Sequence, residues 1–168
     1  MSTLVEFLKH NTMMNGRLID ACEALPPEQL AATVEGTYGT IGATLVHIVQ
    51  GQDSYAHRFF DQERPDRLDE DPFPGFAVLR DRLTNTDAML EDAAARADHG
   101  ITVRVEGDDP EGTWDMAAGL LLLQTVNHAT EHRSQIATIL TQLGVEPPDM
   151  SGWRFFFDGG HMKDVSAG

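Results

Sequence analysis

The chain has 168 residues, and its 27 acidic against 12 basic side chains give a net charge of −15. Such a surface repels phosphate backbones and anionic bilayers, so neither nucleic acid nor a membrane is expected as a partner, and no apolar run approaches the roughly 18 residues of a membrane span. One cysteine, Cys22, excludes an internal disulfide and fits a reducing cytoplasm, where the protein is expected; the opening "MSTLVEFLKHNTMMNG" also lacks the basic start and cleavage site of a signal peptide.

The length suits a single domain, residues 1–168, and four stretches carry helical periodicity. The first covers 3–25, with Leu4, Phe7, Leu8, Leu18 and Ala21 at apolar positions, and the prolines of "LPPEQL" end it. A second helix is expected over 40–60, with Thr40 as its N-cap. The polar link "DQERPDRLDEDPFPG" follows, then a third helix over 76–98. Residues 101–105, "ITVRV", alternate and are β-branched, which suits a short strand, and "EGDDPEG" is a turn-rich loop. A fourth helix is expected over 113–143, with Gly144 just past its end and Pro147 and Pro148 beyond. The tail 145–168 is aromatic without periodicity, and Trp153 and Phe155–Phe157 are expected to lie across the helices. The pattern is that of an all-α four-helix bundle with a long crossover between helices 2 and 3.

Within the fourth helix, "NHATEH" sets His128 and His132 four residues apart on one face. Leu121, Gln135 and Ile139 fall within about 20° of His128 on a helical wheel, so the pair faces inward with core residues. A lone inward histidine is usually satisfied by a hydrogen bond, whereas two at this spacing can converge on one ion. The second helix offers a third imidazole. His47 shares a stripe with Thr40, Ala43, Thr44, Gly51, Ser54 and Arg58, small and polar while the flanking positions are apolar. Such a stripe either leaves room for a pocket or lets two helices approach closely. Antiparallel second and fourth helices bring the three histidines nearer one level than parallel ones do, at about 1.5 Å of rise per residue.

Three histidines leave a coordination position open, as in catalytic rather than structural sites, and neutral imidazoles suit zinc, nickel, iron or copper. Glu131, Gln135 and Asp53 are candidates to orient the rings. "HATEH" also fits the inverted zincin pattern, but little chain remains after His132 for a further ligand. No glutamate stands three residues before any histidine, which removes a di-iron carboxylate site. His10, His57, His99 and His161 have no partner at ligand spacing and are expected at the surface.

"GTIGATLVHIVQGQDSYAHRF" and "NHATEHRSQIATILTQLGVEPPD" resemble the two signature regions of the DinB-like (YfiT-type) metal-binding four-helix bundles, and the helix order and long crossover are similar too. A glycine often found after the motif's arginine is Ser134 here. The resemblance implies an up-down-down-up bundle holding a divalent ion, zinc or nickel, on His47, His128 and His132. It further implies a homodimer, and relatives that are metal-dependent transferases or isomerases using low-molecular-weight thiols such as bacillithiol, mycothiol or glutathione.

Three functions are therefore carried forward. The first is a metal-dependent transferase that activates a low-molecular-weight thiol toward a small electrophile. The others are a metal-dependent hydrolase using metal-bound water and a non-catalytic, stress-associated metal-binding dimer. The leucines of "GLLLLQ", residues 119–124, occupy every face of their turn, and either a second subunit or the chain's own core can cover them.

Overall fold

A computed structural model describes residues 2–97, 100–108 and 111–162. Four long helices dominate it: α1 (Thr3–Glu23), α2 (Ile41–Phe59), α3 (Phe76–Ala97) and α4 (Ala118–Gln142). A 3-10 turn, Pro27–Ala31, links α1 to α2, and a β-hairpin of β1 (Thr102–Asp108) and β2 (Glu111–Ala117) joins α3 to α4. A short helix, α5 (Gly152–Asp158), follows. α2 packs on both α3 and α4, and α1 packs on the same two helices.

The local signals explain most boundaries. Thr40 caps α2 as expected, its Oγ1 accepting the amide of Ala43 at 3.1 Å. Gly144 takes the positive φ of 74° beyond α4, and its amide bonds the carbonyl of Thr141. Two expectations need correction. The fourth helix was expected from residue 113, yet Thr113–Ala117 lie in β2, paired with β1 in the register Val105↔Trp114 and Val103↔Met116. Thr113 and Trp114 favour a strand, and hairpin pairing with β1 outweighs the helix propensity of Met116 and Ala117. Ala118 starts α4 with its amide on the carbonyl of Ile101, 2.9 Å away. The tail, read as aromatic without periodicity and lying across the helices, forms α5 over Gly152–Asp158, with Trp153, Phe156 and Phe157 exposed. Ser151 Oγ caps it by accepting Arg154 N, and Phe155 is buried while Arg17 of α1 pairs with Asp158. His99 and residues 163–168 lie outside the described residues.

The interior is divided. One apolar cluster gathers Leu18, Ile19 and Cys22 of α1 with Leu45, Ile48 and Val49 of α2, Leu79 and Leu83 of α3, and Ile136, Ile139 and Leu140 of α4. A second gathers Leu8 with Ala56, Phe59, Leu90, Ala93, Leu121 and Leu122. Between them lies a buried polar layer to which all four long helices contribute. Arg133 Nη1 donates to Asn11 Oδ1 and Asn15 Oδ1, each at 2.7 Å. Both asparagines donate to Gln52 Oε1, and Gln52 Nε2 donates to Thr86 Oγ1 at 3.0 Å and Asp87 Oδ1 at 2.7 Å. Arg133 belongs by sequence to the level of the first cluster, but helical side chains tilt toward the N-terminus, so its guanidinium reaches back into this layer. Burial drives its pKa down to about 10.

The crossover from residue 60 to 75 is tied to the helices at several points. Phe73 packs on the first cluster, and Arg82 of α3 donates to Asp53 Oδ2 of α2 at 3.0 Å and to the carbonyl of Asp66 at 2.9 Å. No described helix is long and apolar enough to cross a membrane.

Candidate metal centre

The structure brings His47, His128 and His132 together. One ring nitrogen from each lies within 4.8 Å of the other two, and all three residues are half-buried. The Nε2 atoms of His47 and His128 are 3.0 Å apart, and the ring centroids of the three pairs lie at 4.6 to 4.8 Å. Among the described residues no other group of three histidine, cysteine or carboxylate side chains is placed this way.

The local chain makes this convergence feasible. Gly51 stands one turn after His47 on α2, and a Cβ there would come within 2.5 Å of His128 Cε1 and 2.9 Å of His128 Nδ1. The missing side chain is therefore the seat of the His128 ring. At this position the close-approach reading of the small stripe holds: α2 and α4 come together and the His128 ring takes the space. Burial, then the neighbouring His132 and His47, lower the His128 pKa to about 4. Burial first, and then His132, move His47 below its ordinary value. Rings that stay neutral near pH 7 keep a lone pair for a ligand.

Of the three candidates for orienting these rings, only Gln135 does so. Its Oε1 accepts the backbone amide of Tyr38 at 3.0 Å, which fixes the orientation of the side-chain amide. The same oxygen lies 3.0 Å from His132 Nδ1, so His132 donates there and presents Nε2 inward. The Asp53 carboxylate is instead committed to Arg82, and exposed Glu131 accepts from Asn127 at 3.2 Å; neither carboxylate is bonded to His47, His128 or His132.

Tyr38 was not among the sequence candidates. Its ring stacks on His47 at 4.0 Å between centroids and meets His132 edge-on at 5.3 Å, while its hydroxyl donates to Glu70 Oε1 at 2.9 Å. A Tyr-Gly pair just before the N-cap of a histidine-bearing helix was the available signal. Tyr55, one turn beyond Gly51, meets His128 edge-on at 5.8 Å.

The remaining histidines behave differently from one another. His161 is exposed, as expected. His10 is half-buried against Phe155, at 5.6 Å between centroids, with its pKa lowered by burial and then by Arg133. His57 is also half-buried, its Nδ1 bonded to the Asp53 carbonyl at 2.8 Å. Neither joins the cluster.

A cleft of about 660 Å³ opens beside the histidines, running along α2 under the crossover, with His47 and His128 in its wall. The donor set and the Gly51 cradle fit a first-row divalent ion: three imidazole nitrogens within 4.8 Å of one another, with His47 and His128 on the cleft side.

No curated protein matches the chain. The model of the DinB family matches residues 1–158, a span that holds all three histidines, Tyr38, Gly51 and Gln135. The chain belongs to the DinB family.

Proposed function

We propose that this DinB family protein is a divalent-metal-dependent transferase acting on a low-molecular-weight thiol and a small electrophile. The observation that carries the reading is the convergence of three half-buried imidazoles at the wall of a cleft large enough for a small-molecule substrate. His47, His128 and His132 hold the ion, zinc or nickel. When bound, the ion supplies the Lewis acidity that keeps a thiol in its nucleophilic thiolate form near neutral pH. Gln135 fixes the His132 tautomer, and Tyr38 covers one face of His47, restricting water on that side. The cleft then positions the second substrate against the thiol.

The surrounding architecture proposed is a single domain, an up-down-down-up four-helix bundle. The two apolar clusters support it, since each unites the first half of α1 with the last half of α2, or the reverse. Leu120 and Leu123 support a homodimer, being 55% and 61% exposed on the "GLLLLQ" turn. The acidic chain and lone buried Cys22 agree with a cytoplasmic protein.

Incubation with zinc or nickel, a panel of small thiols and a chromogenic electrophile is expected to give thiol-dependent turnover that vanishes in His47→Ala. Turnover without any thiol would overturn the transferase reading in favour of hydrolysis.

A further inference from the structure

Arginine pairing singles out one part of the cleft. Arg17, Arg67, Arg80, Arg82, Arg96, Arg104 and Arg154 each lie within 4.0 Å of a carboxylate, as expected in a chain with 27 acidic residues. Arg133 is buried on asparagines. Among the described residues that leaves Arg58 and Arg64, and both line the cleft beside the histidines. Arg58 comes from the last turn of α2, and Arg64 comes from the crossover and reaches the Ser54 hydroxyl at 3.4 Å. Two guanidinium groups without carboxylate partners among the described residues, lining one cleft, stand out in so acidic a protein.

Their placement along α2 is ordered. His47, Gly51, Ser54 and Arg58 succeed one another on a single helical face, so the cleft has a histidine end and an arginine end. Eleven residues of helix separate the two, about 16 Å along the axis. That span is of the order of an elongated small molecule, which the volume of about 660 Å³ accommodates. Glu63 and Asp66 stand on the same walls, and Asp53 is occupied by Arg82. The cleft therefore exerts little long-range attraction, and recognition falls to the local fork geometry of the guanidinium groups, which matches carboxylate and phosphate oxygens.

We propose that Arg58 and Arg64 form an anion subsite that holds a carboxylate or phosphate group of an elongated substrate whose reacting end lies at His47 and His128. This inference rests on the proposed function only in taking the histidine end as the reacting end. Its test needs neither turnover nor thiol, so the two readings fail separately.

The full chain is titrated with glutarate, with inorganic phosphate and with neutral dimethyl glutarate at constant ionic strength, while backbone and arginine Nε signals are followed by NMR. At least one of the two anions is expected to shift the Nε signals of Arg58 and Arg64 and the amides of residues 50–67, whereas the diester shifts none. Arg58→Gln combined with Arg64→Gln should weaken that binding at least tenfold, and Arg96→Gln, removing an exposed arginine already paired with Asp92, should leave it unchanged. Glutarate alone, phosphate alone or both binding there identifies the group recognised. Shifts centred on His128 and His132, equal shifts with the diester, or binding that survives the double substitution would overturn the proposal.

Discussion

Gly51 shows how much of the site depends on an absent side chain. The His128 ring lies where a Cβ on residue 51 would be, so any larger residue must move either the ring or the helix that carries it. Gly51→Ala is expected to keep the helical circular dichroism of the wild type while lowering zinc affinity at least tenfold in a competition titration, because helix propensity favours alanine and only the ring is displaced. Unchanged zinc affinity would mean that His128 ligates from elsewhere. At this scale the sequence was informative where a residue type had a spacing rule behind it. His128 and His132 announce themselves by a four-residue interval, and His47 by its small-residue stripe. Gln135 is one turn from His132 and could be proposed by proximity. Asp53 and Glu131 had the same proximity, but a nearby guanidinium and a nearby asparagine claimed them. Tyr38 reaches His47 from a loop, where no periodicity says which way a ring points.

Among the elements, the polar layer decides how α1, α2, α3 and α4 are held in register. A purely apolar interior tolerates sliding, whereas Arg133 can satisfy Asn11 and Asn15 only when α1 and α4 are correctly aligned, and Gln52 extends the same constraint to α2 and α3. Arg133→Leu removes the donors and leaves two buried asparagine oxygens unsatisfied. The expected loss is about 3 kcal/mol, read from the urea midpoint, since each orphaned buried acceptor costs about 1–3 kcal/mol. At the far end of the layer, burial and then Glu91 raise the Asp87 pKa above its ordinary 3.8, against the lowering effect of hydrogen bonds from Thr12 and Gln52. The folded state thus binds that proton more tightly than the unfolded one. Its stabilising contribution is full below about pH 3.8 and is lost as pH rises through the raised folded value. Asp87→Asn keeps an acceptor for Gln52 and should therefore raise the urea midpoint near neutral pH, with the gain shrinking as pH falls toward 3.8. An equal gain at both ends of that range would show that ionisation is not the cause. The helix interiors were legible because periodicity is local. The start of α4 and all of α5 were not: one was settled by hairpin pairing with β1, the other by burial of Phe155 and an ion pair to α1.

For the whole molecule, the histidine cluster is a junction between elements far apart in sequence. His47 belongs to α2, His128 and His132 to α4, and Gln135 connects the latter pair to Tyr38 in the loop before α2. An ion held by these histidines would link the two helices and, through Tyr38 and its bond to Glu70, would steady the crossover beside the cleft. In the unfolded chain the 81-residue separation of His47 and His128 makes the same convergence entropically costly, so a bound ion would favour the folded state. Linkage then sets the size of the effect: zinc at a hundred times its dissociation constant stabilises by about 2.7 kcal/mol. At about 2–4 °C per kcal/mol for a chain of this size, the melting temperature should rise by roughly 5–10 °C on saturation and fall back on chelation. His128→Ala should abolish the rise while the metal-free protein still folds, because removing a half-buried ring beside Gly51 leaves both apolar clusters intact. A zinc-dependent rise that persists in His128→Ala would place the ion elsewhere on the acidic surface. No rise in the wild type would mean that the three imidazoles satisfy one another without metal, as the 3.0 Å approach of His47 and His128 allows when one ring donates to the other.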